Sequence, residues 1–255
     1  MNLKNAVSIF VFFLIWEFTA RYLVSAPKTI FPPFTYVLWN FTDKSFLYTL
    51  LSNYSQTFFR SLLGFTVGLF LGLLTGLAIS IKRSVSDYVS PIATLMFSVP
   101  SVAWVPILIV LVGIDEFRLP LVASFMCSYP PILYGVINTL RTFDRDQLDI
   151  TAVYCLRHRT RYELVILPQL ILRILPSIKT EAVMVWKTVF VAEMLVLPNG
   201  IGYLALIYAS TLNMDKLIAV VLVLSLTLIS IDVLLDWLEK NFYRVVNSIY
   251  ERRFR

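Results

Sequence analysis

Six stretches of this chain read as segments built for a lipid interior: residues 6–24, 57–81, 90–112, 119–138, 169–197 and 217–238. A helix that crosses a bilayer needs about 20 mostly apolar residues, because the hydrocarbon core is roughly 30 Å thick and each residue rises about 1.5 Å. The runs are long and do not alternate, which argues against the strands of a membrane barrel. The expected fold is therefore an all-α polytopic membrane protein with about six transmembrane helices. Composition agrees, with 58% apolar and 15% charged residues, against about 25% charged in soluble domains. That balance excludes disorder and argues against an ordinary water-soluble enzyme.

The positions of the 22 Lys and Arg orient the spans. Thirteen lie before the first span, in the even-numbered loops or after the last span: Lys4, Lys82, Arg83, Arg141, Arg145, Arg157, Arg159, Arg161, Lys240, Arg244, Arg252, Arg253 and Arg255. Five lie on the other side: Arg21, Lys28, Lys44, Arg118 and Lys216. The positive-inside rule then places both termini in the cytoplasm. The net charge of +6 is mostly this orientation signal. Lys4 and the faint cleavage pattern Val24-Ser25-Ala26 raise the alternative of a signal peptide. Pro27, and the charges of Glu17 and Arg21 inside the apolar run, favour a retained anchor. The organisation expected is an N-terminal helix and external segment over 1–54, a core transmembrane domain over 55–240, and a basic cytoplasmic tail over 241–255.

Catalytic signatures do not occur. There is no Gly-x-x-x-x-Gly-Lys-Ser/Thr loop for ATP, no Gly-x-Gly-x-x-Gly, no Gly-x-Ser-x-Gly and no His-Glu-x-x-His. Two cysteines and a single histidine supply neither a disulfide framework nor a metal cluster. The chain is expected to bind no cofactor and no metal, and to be no enzyme.

Several features carry mechanism. Gly64, Gly68, Gly72 and Gly76 repeat every four residues in the second span, so they share one helix face and let another helix approach closely. That face is read as helix packing, with a sliding surface as the functional version. Pro100 and Pro106 in the third span, and Pro130 and Pro131 in the fourth, each remove a backbone donor. Freed carbonyls survive at membrane depth only beside protein or water. Ser98, Pro100, Ser101 and Trp104 at the first pair, and Ser124, Ser128 and Tyr129 at the second, are therefore expected along a central pathway, the alternative being helices merely bent to pack. In the fifth span Lys187 and Glu193 are costly charges at depth. Lys187 is read either as a bias of the path toward anions or, like Glu193, as half of a structural ion pair with another helix. Asp232 and Asp236, four apart near the cytoplasmic end of the last span and followed by Lys240, read as an interfacial salt bridge.

Residues 139–165 are too charged to span and too patterned for a slack linker. A short helix with a basic surface is expected there, either lying on lipid headgroups or docking a soluble partner. Cys155 and His158 are read as packing and surface residues rather than ligands.

Taken jointly, certain segments are specific. Ser98-Val99-Pro100-Ser101-Val102-Ala103-Trp104-Val105-Pro106 with Gly113-Ile114, then Trp186, Val191-Ala192-Glu193-Met194-Leu195 and Gly200-Ile201-Gly202-Tyr203-Leu204, resemble the permease subunit of ATP-binding-cassette importers of the nitrate/sulfonate/taurine type. The resemblance is strongest over 55–240. That family has a cytoplasmic coupling loop, Glu-Ala-Ala, three residues, Gly, nine residues, Ile-x-Leu-Pro. Counting back from Leu167-Pro168 places Val165 at the Ile, Cys155 at the Gly, and Asp149, Ile150 and Thr151 at Glu-Ala-Ala. The spacing is kept, while only the acid, the Val and the Leu-Pro survive chemically. The resemblance implies that 149–163 docks into an ATPase, with Asp149, Thr151, Cys155, Arg157, His158, Arg159 and Arg161 as coupling residues. It further implies a second permease copy in a homodimer, an extracytoplasmic solute-binding protein, ATP and Mg held by the ATPase, and a multi-pass protein of a prokaryotic inner membrane. The implied cargo is a small anion such as a sulfonate, taurine or nitrate; a vitamin precursor or other heterocycle is the alternative within the class. A stand-alone channel or secondary carrier is the reading outside it, and no internal repeat supports that reading.

Overall fold

The computed structural model describes residues 3–23, 30–81, 83–142 and 167–253, and among them every regular element is helical. The helices are α1 (Leu3–Phe18), α2 (Phe34–Trp39), α3 (Lys44–Ile81), α4 (Arg83–Ser98), α5 (Trp104–Val112), α6 (Arg118–Arg141), α7 (Leu167–Val196), α8 (Ile201–Ser210) and α9 (Met214–Arg253). An all-helical chain is what lipid demands, since each helix satisfies its own backbone. Stretches of α3, α6 and α9 are each long and apolar enough to cross a membrane. Two bent pairs pass the same test together: 86–98 with 101–112, at 88°, and 170–196 with 201–210, at 49°. The first expected span falls on α1 and the π-helical turn Thr19–Leu23 that continues it; α1 itself, with 16 residues, is not among the helices that pass this test.

Three expected boundaries move, for physical reasons. The second span is the later part of α3, which has 38 residues and begins at Lys44. Residues 44–56 contain neither Gly nor Pro, so nothing stops the helix, although they are too polar for an apolar run to register. The last span likewise lies inside the 40 residues of α9, about 60 Å at 1.5 Å per residue. The third span is broken. Pro100 has extended backbone, φ −53° and ψ 130°, and a 3-10 turn, Ser101–Ala103, follows it before α5. Proline lacks the N–H and keeps the residue before it out of the helical region, so α4 ends at Ser98. Pro106 breaks nothing, because it falls in the first turn of α5, where its N–H has no helical partner to lose. Pro130 and Pro131 lie within an unbroken α6.

By packing, the chain divides into two compact units: Met1–Phe59 with Phe190–Thr227, and Arg60–Val189 with Leu228–Arg255. In the first unit, Phe13 stacks on Phe34 at 4.1 Å and the Trp16 indole donates to the Pro32 carbonyl at 3.2 Å. Glu17 and Arg21, which interrupt the apolar run of the first span, pair with each other one helical turn apart. Glu17 also accepts the Thr35 backbone N–H at 3.0 Å. These contacts hold α2 against α1.

In the second unit α6 is central. Its Ser124, Ser128, Ile132 and Val136 meet Gly64, Gly68, Gly72 and Gly76 of α3, each pair 60 positions apart. A constant offset means that the two helices run parallel, so α4 and α5 must carry the chain back between them. The seam is tight: a Cβ at Gly64 would overlap that of Ser124, and one at Gly76 would stand 2.6 Å from a Val136 methyl. Ser124 and Ser128 leave no donor stranded, since Ser124 donates to the Pro120 carbonyl at 2.8 Å and Ser128 to the Ser124 carbonyl at 3.0 Å. On another face α6 packs Leu133 and Ile137 against Ile79 and Ala93, while Val136 of the seam also meets Leu170 and Ile174 of α7. Before α6, Asp115 accepts the backbone N–H groups of Arg118 and Phe117, which hold its carboxyl below the usual range.

Candidate functional site

The sequence-predicted pathway residues fall into three settings. The first is the start of α8, within the first unit. Gly200, in left-handed backbone at φ 104°, opens the helix and leaves the N–H groups of Gly200, Ile201 and Gly202 pointing backwards. Such groups carry no partner inside the helix and need one outside. Asn53 Oδ1 accepts from Gly200 at 2.7 Å, Thr57 Oγ1 from Ile201 at 3.0 Å, and Glu193 Oε2 from Gly202 at 3.2 Å. The Thr57 hydroxyl lies 2.8 and 2.9 Å from the two Glu193 oxygens. Glu193 is 0% exposed. A carboxylate is accommodated here because the positive end of a helix faces it. Glu193, expected on the pathway, is thus enclosed and caps a helix.

The second setting is a polar file inside the second unit. Ser101 shares a hydrogen bond of 2.9 Å with Thr188 of α7. Thr188 lies 3.4 Å from Cys127 Sγ, and Cys127 lies 4.0 Å from Glu181 Oε2. The file runs beside Val185, Val189 and Phe65. Ser101 therefore reaches α7 one residue beyond Lys187. Of the other expected residues, Ser98 turns its hydroxyl back to the Thr94 carbonyl at 2.7 Å. Pro100 is exposed and Trp104 half-buried. Tyr129 stacks on Phe125 at 4.9 Å and lies 3.4 Å from the Thr75 hydroxyl.

The third setting is the open face of α7. Thr180, Met184 and Lys187 follow helical spacing and are all exposed. Beside them lies a groove of about 410 Å³ lined by Pro176, Lys179, Thr180, Val183, Met184, Asp232 and Glu239. Lys179 contacts both Asp232, at 3.2 Å, and Asp236. The ion pair read into Asp232 and Asp236 is therefore made across to α7, where the sequence suggested Lys240 of their own helix. Asn53, Thr57, Cys127 and Thr188 went unselected in the sequence. The one signal for the first two is a polar pair four residues apart, whose partners lie about 140 positions away and leave no local trace. Asp149, Thr151, Cys155, Arg157, His158, Arg159 and Arg161 lie outside the described residues.

The described residues thus form a helical chain with two bent pairs of apolar helices, a glycine seam and an open helix face that carries Lys187. Residues 68–246 match the family model described as binding-protein-dependent transport system inner membrane component. The match covers more than half of the chain, so the protein belongs to that family: it is a permease subunit of an ATP-binding-cassette importer. Among its relatives is a Bacillus subtilis protein named an aliphatic sulfonates transport permease, SsuC. It is 24% identical over 238 residues, 93% of this chain and 86% of that one. The Escherichia coli protein named SsuC is 29% identical over 72% of this chain and 70% of its own length. The Escherichia coli taurine transport system permease protein TauC is 22% identical over 70% and 64%. The fold is similar to that of a chain of the inward-facing MetNI methionine ABC transporter, with a TM-score of 0.62 at 17% identity over 78% of this chain and 99% of that one. It is also similar to that of a chain of an amino acid ABC transporter with histidines, with a TM-score of 0.64 at 17% identity over 77% and 95%.

Proposed function

We propose that this chain is a non-catalytic subunit that forms the path for a small organic or inorganic anion, of the sulfonate, taurine or nitrate kind, and binds no cofactor itself. A separate ATPase holds ATP and Mg, an extracytoplasmic protein delivers the solute, and a second copy of the permease completes the path. Both termini face the cytoplasm, and 149–163 is the segment on which the ATPase acts. Relatives named for sulfonates and taurine support the choice of cargo.

The single observation that carries the anion reading is Lys187. It lies near the middle of the fifth span, yet its side chain is exposed. An ammonium at that depth is costly against lipid and is placed where a cavity or partner meets it. A cation on an open helix face beside the polar file from Ser101 to Thr188 is suited to greet an anion. The test is uptake of labelled ethanesulfonate by proteoliposomes holding the permease, its ATPase and its binding protein. Lys187→Met removes a charge-assisted contact worth about 1.5–3 kcal/mol and is expected to lower uptake about tenfold or more. Uptake equal to the parent would make the charge structural and remove the anion reading.

A further inference from the structure

The ion cluster between α7 and α9 has a geometry that the solute path does not use. Lys179 is held from one side by two carboxylates one turn apart on α9, Asp232 at 3.2 Å and Asp236. Its side chain is 26% exposed, against 51% and 42% for the two acids, so the ammonium is the more sheltered partner. Three residues before it stands Pro176, inside α7. Proline donates no N–H, so the Leu172 carbonyl loses its helical partner. The Thr180 hydroxyl donates to the Pro176 carbonyl at 3.0 Å, a bond from within the same turn that favours bending. The softest part of α7 therefore lies directly beside the residue that α9 grips.

Position along the helices sets the level of this cluster. Asp232 is 18 residues beyond the start of α9 at Met214, about 27 Å along the axis. That is close to the thickness of the hydrocarbon core, roughly 30 Å. In the orientation proposed above, Lys179, Asp232 and Asp236 sit at the cytoplasmic edge of the bilayer. The first turns of α7, from Leu167 to Leu175, then lie on the cytoplasmic side of it.

We propose that Lys179, Asp232 and Asp236 form an ionic latch that fixes α7 to α9 just above a hinge at Pro176. Movement of 149–163 then bends the first turns of α7 and drives α7 and α9 above the hinge as one piece. The three are positioning residues: they touch no solute and decide which helices travel together. The latch rests on the reading that an ATPase grips 149–163.

The experiment uses the assembled permease–ATPase complex in nanodiscs, with Cys127 and Cys155 replaced and nitroxides at Met184→Cys and Leu234→Cys. Pulsed electron-spin distances are read without nucleotide and after trapping with ATP and vanadate. The parent is expected to give one narrow distance, the same in both states, and Lys179→Arg should match it. Lys179→Met is expected to give a broadened distribution that shifts on trapping, and Lys179→Asp combined with Asp236→Lys should narrow it again. A parent distance that shifts on trapping, or a Lys179→Met distribution like the parent's, overturns the latch even where ATP hydrolysis is normal. Failure of this chain to bind or engage the ATPase at all overturns the coupling reading, and the latch with it. If Lys179→Met does not fold, the parent distances alone still decide.

Discussion

At the scale of single residues, the most informative side chain is Glu193. Its sequence context, an acid deep in an apolar run, leaves open a place on the path or a structural partner on another helix. The structure binds it to Thr57 of α3 and to the N–H of Gly202, at the end of a helix that opens with a left-handed glycine. Two costs meet there, a buried charge and a row of unpaired N–H groups, and each relieves the other. The Thr57 hydroxyl serves both, facing Glu193 while accepting from Ile201. Thr57→Val keeps shape and removes the hydroxyl. It is expected to lower stability by about 1–3 kcal/mol, since a buried acceptor and a buried donor both lose a partner. Thermal unfolding of the purified chain in detergent checks this, and an unshifted midpoint would show that Thr57 is not part of the cap.

Between elements, the α3–α6 seam makes a graded prediction from one kind of substitution. At Gly64 an added methyl meets the Cβ of Ser124 and, at 2.9 Å, the Leu121 carbonyl oxygen, neither of which can swing aside. At Gly68 the nearest atom is the Ser128 hydroxyl, which can rotate. At Gly135 the new methyl would meet only ordinary contacts, 3.5 Å from Ser177 Oγ. Gly64→Ala is therefore expected to cost the most, in the range of about 1–3 kcal/mol for overpacking. Gly68→Ala should cost less and Gly135→Ala close to nothing. Melting temperatures of the three variants give the order, and a reversed order would mean that this seam does not set the spacing of the helices. Pro100 and Pro106 teach the same lesson at this scale. Identical residues in one apolar run give a broken span in one place and an ordinary first turn in the other, because position relative to the helix start decides whether a missing N–H matters.

For the molecule as a working whole, the decisive property is that its energy comes from another subunit. The coupling assignment predicts that Asp149→Ala or Arg157→Ala leaves the spans inserted while abolishing ATP hydrolysis coupled to transport. Membrane fractionation and phosphate release by the reconstituted complex measure the two separately. Coupled hydrolysis that survives in both variants would remove 149–163 as the interface. Solute accumulation by this chain alone, with no ATPase present, would go further and make it a secondary carrier.

Much of this protein was legible from the residues in order. Length and apolarity of the runs determine that the chain is helical and crosses a bilayer, because only backbones that satisfy themselves persist in lipid. The four-residue glycine repeat marks a close-packing face, since helix periodicity is a local property. Family membership was legible too, in the joined motifs around Pro100 and Glu193. What only the tertiary structure decided are the pairings: Thr57 with Glu193, Ser101 with Thr188, Lys179 with Asp232 and Asp236. Each joins residues some 50 to 140 positions apart. Charge and hydrogen-bond capacity are written in one residue, but the partner that satisfies them is chosen by which helix faces meet, and that choice belongs to packing.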